Sequence, residues 1–277
     1  MAQNRRNDVL FNPRVGSFNV KLFLSLIQAD GYNPLSVEGV AYTIEDEDLC
    51  DYIALGSVGN AEGHRAQRET LARILKNSTF RPGQLLQDLE NLNIELIIES
   101  DEFINIVLAS ATALPIAAFK DGYWADHFTY ILDLIDTYIS VFPDREEALL
   151  YDSSLPYFFS PTSVRPREEK YHLLITDDGT SQRIIQFNTT AVNKEKDFER
   201  MKYYDNETKS FGNDAFWQHD SSGRIFRGSA ISKLLVLSTI KFATLDPYGM
   251  GIEYEAGKPG WNDALNGLVG KLGSGMV

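Results

Sequence analysis

The chain has 277 residues and a formal net charge of −13, with 43% hydrophobic and 23% charged residues. This composition is typical of a globular protein with a sizeable core, and the negative charge argues against nucleic-acid partners and anionic membranes, because phosphates bind basic surfaces. The single cysteine, Cys50, excludes a disulfide within the chain and a zinc site built from cysteines.

No apolar run approaches the ~18–20 residues of a membrane-spanning helix. The N-terminal stretch MAQNRRNDVLFNPR has basic residues but no apolar segment after them, so it does not resemble a signal peptide. We therefore expect a cytoplasmic protein.

The first half of the chain has the spacing of helices. Ser17 to Ala29 is an apolar-rich segment followed by Gly31, which is typical of a helix C-terminus. An amphipathic helix is predicted from Glu62 to Lys76 and a short helix over residues 84–92. Residues 93–100 fit a strand or a helix end equally well.

Two further helices are predicted in the middle of the chain. Asp101 can cap a helix through residues 102–119, which Pro115 either kinks or ends. In DGYWADHFTYILDLIDTYISVFPD the apolar residues recur at three and four from Asp126 onward, and Pro143 ends the pattern.

Loops and one β-hairpin separate these helices from the last one. Residues 151–170 are rich in proline and small polar residues, which indicates a long surface loop. Residues 170–189 predict a β-hairpin that turns at Asp178-Gly179. Residues 190–228 are predicted to be mostly loop, and Ser229 is the predicted cap of a mostly buried helix that ends near Leu245.

The sequence therefore predicts a mainly α fold in which long apolar helices are joined by polar loops and one β-hairpin is inserted. No βαβ alternation and no glycine-rich nucleotide motif is present, which argues against a nucleotide-binding α/β fold. Long loops in compact domains are usually functional, and here they precede helices, so we expect them at one end of a helical assembly.

The stretch EAGKPGWNDALNG, residues 255–267, gathers side chains suited to a sugar ligand. An aromatic ring stacks on the apolar face of a pyranose, polar groups pair with its hydroxyls, and a carboxyl group beside an apolar ring holds its proton to higher pH. The candidates, with one acid just before the stretch, are Glu253, Glu255, Lys258, Trp261, Asn262 and Asp263. The structural alternative is a helix start, with Asn262 or Asp263 as its cap.

A second cluster, Tyr123, Trp124, Asp126 and His127, precedes the helix that begins at Asp126. It repeats the order of aromatic, acid and helix, so both acids would line one rim if the two helices pointed the same way. Capping by Asp126 is again the structural alternative.

A third cluster lies on the polar loop before Ser229. Its members are Tyr203, Tyr204, Phe211, Phe216, Trp217 and His219. They are the residues either of a lid over a ligand or of a loop anchored by its aromatics, and the anchor is the preferred interpretation. The four histidines of the chain lack metal-ligand spacing, so no metal site is predicted.

The segment Gly260-Trp261-Asn262-Asp263-Ala264 resembles the signature of the cellobiose phosphorylase group, glycoside hydrolase family 94 and its relatives. That signature is a glycine-rich approach to Asp-Trp-Asn-Asp-Gly, so this chain has Gly260 in place of the first acid and Ala264 in place of the last glycine. The wider run LDPYGMGIEYEAGKPGWNDALNGL and the upstream DGYWADHFTYILDLID are similar to large cellobiose-phosphorylase-like proteins.

The resemblance implies a catalytic (α/α)6 barrel (toroid), of which residues 1–277 would be an incomplete piece truncated at the C-terminus. It also implies inverting cleavage of a β-linked glucoside or oligosaccharide, with Asp263 as the general acid and with Trp261 and Asn262 in the sugar subsite. Inorganic phosphate is then the co-substrate of a phosphorylase, and no other cofactor is implied.

Other roles depend on the reaction type. In a hydrolase, Glu255 is the preferred base and Asp126 the second candidate, while Lys258 would bind a sugar hydroxyl or phosphate. A different class of function is also open, namely a non-catalytic glycan-binding or structural helical domain.

Overall fold

The computed structural model describes residues 2–34, 36–77, 79–118, 127–166, 171–175, 182–186, 190–206 and 210–245, together with Glu169 and Gly179. Within these ranges the protein is mainly α, as predicted. The α-helices with described bounds are α1 (Asp8–Phe11), α2 (Phe18–Ser25), α3 (Glu47–Val58), α4 (Arg65–Asn77), α5 (Pro82–Asn91), α6 (Ser100–Ser110), α7 (His127–Val141), α8 (Glu146–Leu150), α9 (Lys194–Met201) and α10 (Ala230–Ala243).

The described strands are short and pair only in twos. They are β1 (Ser36–Thr43), β2 (Thr112–Ala118), β3 (Leu155–Pro156), β4 (Thr162–Val164), β5 (Tyr171–Ile175), β6 (Gln182–Gln186), β7 (Thr190–Val192), β8 (Tyr204–Asp205), β9 (Ser210–Phe211) and β10 (Arg227–Gly228). The pairs are β1 with β2, β3 with β10, β4 with β7, β5 with β6, and β8 with β9. Over the described ranges these elements show no toroidal barrel.

The chain forms two compact units. Unit 1 comprises residues 1–37 and 117–277, and unit 2 comprises residues 38–116. Each unit has its own hydrophobic core.

The core of unit 1 forms where α2, α7 and α10 bury apolar faces together with the segment around β3. Fully buried positions include Leu24 and Ile27 near the end of α2, Ile131 on α7 and Ala230 on α10. Phe158 meets Trp217 edge to face, with ring centroids 6.4 Å apart, which is a favourable aromatic geometry.

The core of unit 2 is built by α3, α4 and α6. Phe103, Leu71 and Val58 are fully buried in it. Cys50 also lies in this core, and burial raises the pKa of its thiol above the ordinary value. A buried thiol held in its protonated form is a poor nucleophile, so Cys50 acts as a small apolar core residue.

Several predicted helices are confirmed. The Ser17 segment forms α2, the Glu62 segment forms a 3-10 turn followed by α4, and the segment starting at Asp126 forms α7 from His127 to Val141. Ser229 caps α10 as expected, its hydroxyl oxygen accepting from the Ser232 N–H at 3.4 Å. The residue pattern suffices for these helices because their apolar spacing and caps are local.

The predicted hairpin is also confirmed. β5 and β6 are antiparallel, with Tyr171 opposite Gln186 and Ile175 opposite Gln182. Gly179 has φ +65°, the left-handed conformation that a tight turn needs and that glycine adopts without strain.

Three predictions were wrong. The helix expected through residues 102–119 ends at Ser110, and Thr112–Ala118 form β2 beside β1, where Pro115 is tolerated in a two-stranded sheet. Residues 194–201, expected as loop, form α9, whose start is capped by Asn193. The stretch 151–170 is not simply a surface loop, because it carries buried aromatics from 157 to 159.

Among the described helices, none combines the length and the hydrophobicity that crossing a membrane requires.

The helix α10 carries a buried lysine. Lys233 lies on the same face as Ala230 and Leu237 and has no exposed surface. Its Nζ donates to the Ile27 carbonyl at 3.3 Å and lies 3.5 Å from the centroid of the Tyr157 ring. Burial lowers the pKa of this amine from 10.5 to about 7 and raises the pKa of the Tyr157 hydroxyl.

This burial makes the stability of the protein depend on pH. Between pH 7 and 10.5 the unfolded chain holds a proton on Lys233 that the folded chain lacks, so stability rises with pH by up to ~1.4 kcal/mol per unit from this residue. Lys233→Met should remove that slope. Urea unfolding at pH 7 and pH 9 measures it.

Lys194→Met on α9 is the control, because Lys194 is exposed and should leave the slope unchanged. Equal pH slopes for the wild type and Lys233→Met would show that Lys233 is not neutral in the folded protein.

Candidate functional site

Most residues of the two predicted sugar clusters lie outside the described residues. These are Tyr123, Trp124, Asp126, Glu255, Lys258, Trp261, Asn262 and Asp263. His127 begins α7, and its backbone alone is described.

The third predicted cluster is described, and part of it borders a cleft in unit 1. The cleft has a volume of about 390 Å³, which falls within the ~300–1,000 Å³ typical of small-molecule sites. Its lining residues are Phe159, Glu199, Lys202, Tyr203, Trp217, Gln218, His219, Asp220, Ser221 and Gly223.

One wall of the cleft comes from α9 and the residues that follow it. The Asn193 side chain accepts from the N–H groups of Glu195 and Lys196 at 2.9 and 3.1 Å, which starts the helix. The helix ends at Met201, so its last turn carries Glu199, and Lys202 and Tyr203 follow directly. All three line the cleft.

The other wall consists of the lining segments around Phe159 and residues 217–223, which are attached to the core of unit 1. The Phe159 N–H donates to the Phe216 carbonyl at 2.8 Å, and the Gln218 N–H donates to the Tyr157 carbonyl at 2.8 Å. Trp217, between these two bonds, is 9% exposed. This wall is therefore held by backbone hydrogen bonds and by burial of its aromatic rings.

Tyr203 and His219 join the two walls. Their rings stack with centroids 4.7 Å apart and an interplanar angle of 14°. Burial raises the pKa of the Tyr203 hydroxyl, and the charges of Asp214 and Glu199 raise it further. The Nε2 atom of His219 is buried and has no hydrogen-bond partner among the described residues, which is uncommon for a buried polar atom.

Asp220 closes a tight turn at the cleft. Its Oδ1 accepts from the Ser222 hydroxyl at 2.6 Å, from the Ser222 N–H at 2.8 Å and from the Arg224 N–H at 3.1 Å. These bonds, with that of the Ser222 hydroxyl foremost, lower the pKa of the Asp220 carboxyl from 3.8 to about 2. Asp220 is therefore ionised at neutral pH and cannot serve as a general acid.

Glu199 and Lys202, unlike Asp220, are not held by hydrogen bonds to other described side chains. Within the described part of the chain, neither the Glu199 carboxylate nor the Lys202 amine makes a side-chain hydrogen bond or ion pair. Lys202 has only a cation–π contact, with its Nζ 5.9 Å from the centroid of the Phe198 ring. Among the described residues, the Glu199 carboxylate can therefore bind a ligand without first breaking a contact, and the Lys202 amine would give up at most its contact with Phe198.

Other aromatics of the third cluster pack within the protein. Tyr204 and Phe211 meet edge to face across the β8–β9 pair, with centroids 5.0 Å apart. The Arg200 guanidinium lies 4.2 Å from the centroid of Phe211 and 5.4 Å from that of Phe216, and burial lowers the pKa of this group. These rings anchor the loop, while Tyr203 and His219 border the cleft.

Sequence reasoning missed Glu199, Lys202, Gln218 and Asp220. The signal for the first two was present, because Asn193 before KEKDFERM is an N-cap before an acidic first turn. In the ranges that the structure describes, no group of three or more His, Cys, Asp or Glu side chains is placed to hold a metal ion.

The combination of aromatic rings, a carboxylate, an amine and an amide around a concave surface suits a polar ligand with an apolar face. A pyranose has both properties. No family model, no curated protein and no solved structure matches this chain. Function is therefore inferred from the residues and their geometry.

The Asp220 turn can be tested by titration. Ser222→Ala removes the largest cause of the low pKa, so the Asp220 pKa should rise from about 2 toward 3.8. Carbon-13 NMR of the aspartate carboxyl groups between pH 1.5 and 6 measures the Asp220 pKa, using the pH values at which the protein stays folded.

Ser221→Ala changes the neighbouring serine, for which no hydrogen bond to Asp220 is found in the described residues, and serves as the control. An Asp220 pKa that is unchanged in Ser222→Ala would show that the hydroxyl contact is not made in solution.

Proposed function

We propose that this protein is a carbohydrate-active enzyme that cleaves a β-linked glucoside or related oligosaccharide with inversion. The observation that carries the proposal is the run Gly260-Trp261-Asn262-Asp263 after a glycine-rich approach, in a chain that is mainly α-helical. An (α/α)6 barrel, the fold of the cellobiose phosphorylase group, is part of the same proposal.

The cleft in unit 1 supports a carbohydrate ligand independently of that motif. Its aromatic rings offer apolar surface, and Glu199, Lys202 and Gln218 offer acceptors and donors. The function proposed from the C-terminal motif and the chemistry of the described cleft therefore agree on the class of ligand.

In the proposed reaction Asp263 donates a proton to the glycosidic oxygen as the bond to the anomeric carbon breaks. Trp261 and Asn262 hold the sugar, and Tyr123, Trp124, Asp126 and His127 would contribute to the same rim. Attack from the opposite face of the ring inverts the anomeric centre. Phosphate attacks in a phosphorylase, with Lys258 as a candidate ligand for it, whereas in a hydrolase Glu255 activates a water molecule.

The second candidate is a non-catalytic glycan-binding domain. Two observations favour it. Gly260 stands where the related signature has an acid. In the described cleft, Asp220 is committed to its turn and stays ionised, so that carboxyl cannot donate a proton near neutral pH.

The two candidates make different predictions for turnover. The protein is incubated with β-linked gluco-oligosaccharides, with and without inorganic phosphate, and sugar phosphate and free sugar are measured. Asp263→Asn should lower turnover by about 10²–10⁴-fold, because general-acid catalysis contributes that much. Asp152→Asn, which changes an exposed acid outside the cleft, should not lower it.

Sugar phosphate formed only with phosphate identifies a phosphorylase, and free sugar formed without phosphate identifies a hydrolase. Turnover that survives in Asp263→Asn would overturn the role of Asp263. No turnover of any oligosaccharide, together with saturable binding, would replace the enzyme by the glycan-binding domain.

A further inference from the structure

We infer that the cleft bordered by Glu199, Lys202 and Tyr203 binds one neutral pyranose unit and discriminates against anionic sugars. This inference rests on the proposed function for the class of ligand, and it adds the location of a binding site and its charge preference. Four observations of the described residues support it.

The first observation is a pair of charged groups at the cleft that make no side-chain hydrogen bond or ion pair with the described residues. The Glu199 carboxylate and the Lys202 amine lie three residues apart across the end of α9, and neither is engaged in a hydrogen bond or ion pair with a described residue. Polar groups that converge on a concave surface are usually satisfied by water or by ligand. An acceptor beside a donor matches the hydroxyl groups of a pyranose, each of which both donates and accepts.

The second observation is the aromatic lining. Tyr203 stacks on His219 and both residues are half-buried, so they supply the exposed aromatic surface of the cleft, whereas Trp217 and Phe159 are buried at 9% and 7% exposure. The C–H bonds on one face of a pyranose pack against aromatic rings, so the cleft offers both kinds of surface that a sugar needs.

The third observation is charge. Two carboxylates, Glu199 and Asp220, line the cleft, and one lysine, Lys202, opposes them. Arg224 ion-pairs with Asp220 at 3.4 Å across the turn. Arg224 is largely exposed, so its pair with Asp220 is weak and the two lining carboxylates outnumber the one lining amine. The cleft therefore carries a net negative charge, which repels an anionic sugar relative to a neutral one.

The fourth observation is the division of roles between the two carboxylates. Three hydrogen bonds to Oδ1 hold Asp220 in the turn from 220 to 224. That turn follows Gln218 and His219 directly, so Asp220 is a positioning residue for one wall. Glu199 is the group that contacts the ligand.

The test compares two matched variants of α9. Glu199→Gln keeps the shape of the side chain and removes its charge, and Glu195→Gln makes the same change four residues earlier, outside the cleft. Binding of methyl β-D-glucopyranoside and of methyl β-D-glucuronide to the whole chain is measured by titration calorimetry or ligand-observed NMR.

The wild type and Glu195→Gln should bind the glucoside and should bind the glucuronide at least tenfold more weakly. Glu199→Gln should bind the glucoside about five- to tenfold more weakly, because hydrogen bonds to a charged acceptor are the stronger ones. Glu199→Gln should also reduce the difference in affinity between the glucoside and the glucuronide. A variant that only disturbed the fold would weaken the binding of both sugars alike.

Three results would overturn the inference: no saturable glucoside binding, a glucuronide bound as tightly as the glucoside, or equal losses in Glu195→Gln and Glu199→Gln. Failure here is separable from failure of the proposed function. If turnover depends on Asp263 but Glu199→Gln does not change sugar binding, the proposed reaction stands and the proposed binding site is wrong. If binding depends on Glu199 but no turnover is found, the binding site stands and the proposed reaction is wrong.

Discussion

Residues 157–159 form backbone hydrogen bonds with the end of α2 and with residues 216–218, and unit 1 is organised around them. The Phe158 N–H donates to the Ile27 carbonyl at 3.2 Å, which joins this segment to the end of α2. The neighbouring Phe159 N–H donates to the Phe216 carbonyl, and the Tyr157 carbonyl accepts from the Gln218 N–H. Three consecutive aromatic side chains are buried here, at 4%, 2% and 7% exposure. Such a segment satisfies its backbone only when both neighbouring segments are in place, so one wall of the cleft forms together with the core.

The same segment explains the buried lysine. Tyr157 presents its ring to the Lys233 amine, and the Ile27 carbonyl accepts from that amine as well as from Phe158. A carbonyl and an aromatic face stabilise an amine less than a carboxylate does, so burial dominates and lowers the pKa of Lys233 to about 7. α10 is thereby attached to the end of α2 by a contact whose strength varies with pH. The helix leads toward the glycine-rich segment that contains Asp263.

The cleft and the C-terminal motif support two levels of the functional proposal. The cleft suits ligand binding, because its aromatic rings and its charged groups Glu199 and Lys202 match a neutral sugar. It does not suit proton donation by Asp220, because the hydrogen bonds of the turn keep that carboxyl ionised. The motif concerns reaction, because Asp263 is the residue whose type and neighbours suit proton donation to a glycosidic oxygen. Binding and cleavage are therefore separable by experiment, and a protein that binds through Glu199 without cleaving is physically consistent with the described cleft.

The sequence by itself determined the mainly α class, the helices α2, α4, α7 and α10, and the β5–β6 hairpin, because apolar spacing, caps and the Asp178-Gly179 turn act within a few residues. It also identified Tyr203, Trp217 and His219 as a cluster. Only the tertiary structure decided that residues 112–118 extend along β1 as a strand, because strand pairing depends on a partner about 70 residues away. It alone brought Glu199 and Lys202 to the same cleft as Trp217, and it alone showed that Lys233 is buried, because residues distant in sequence supply the surroundings in both cases.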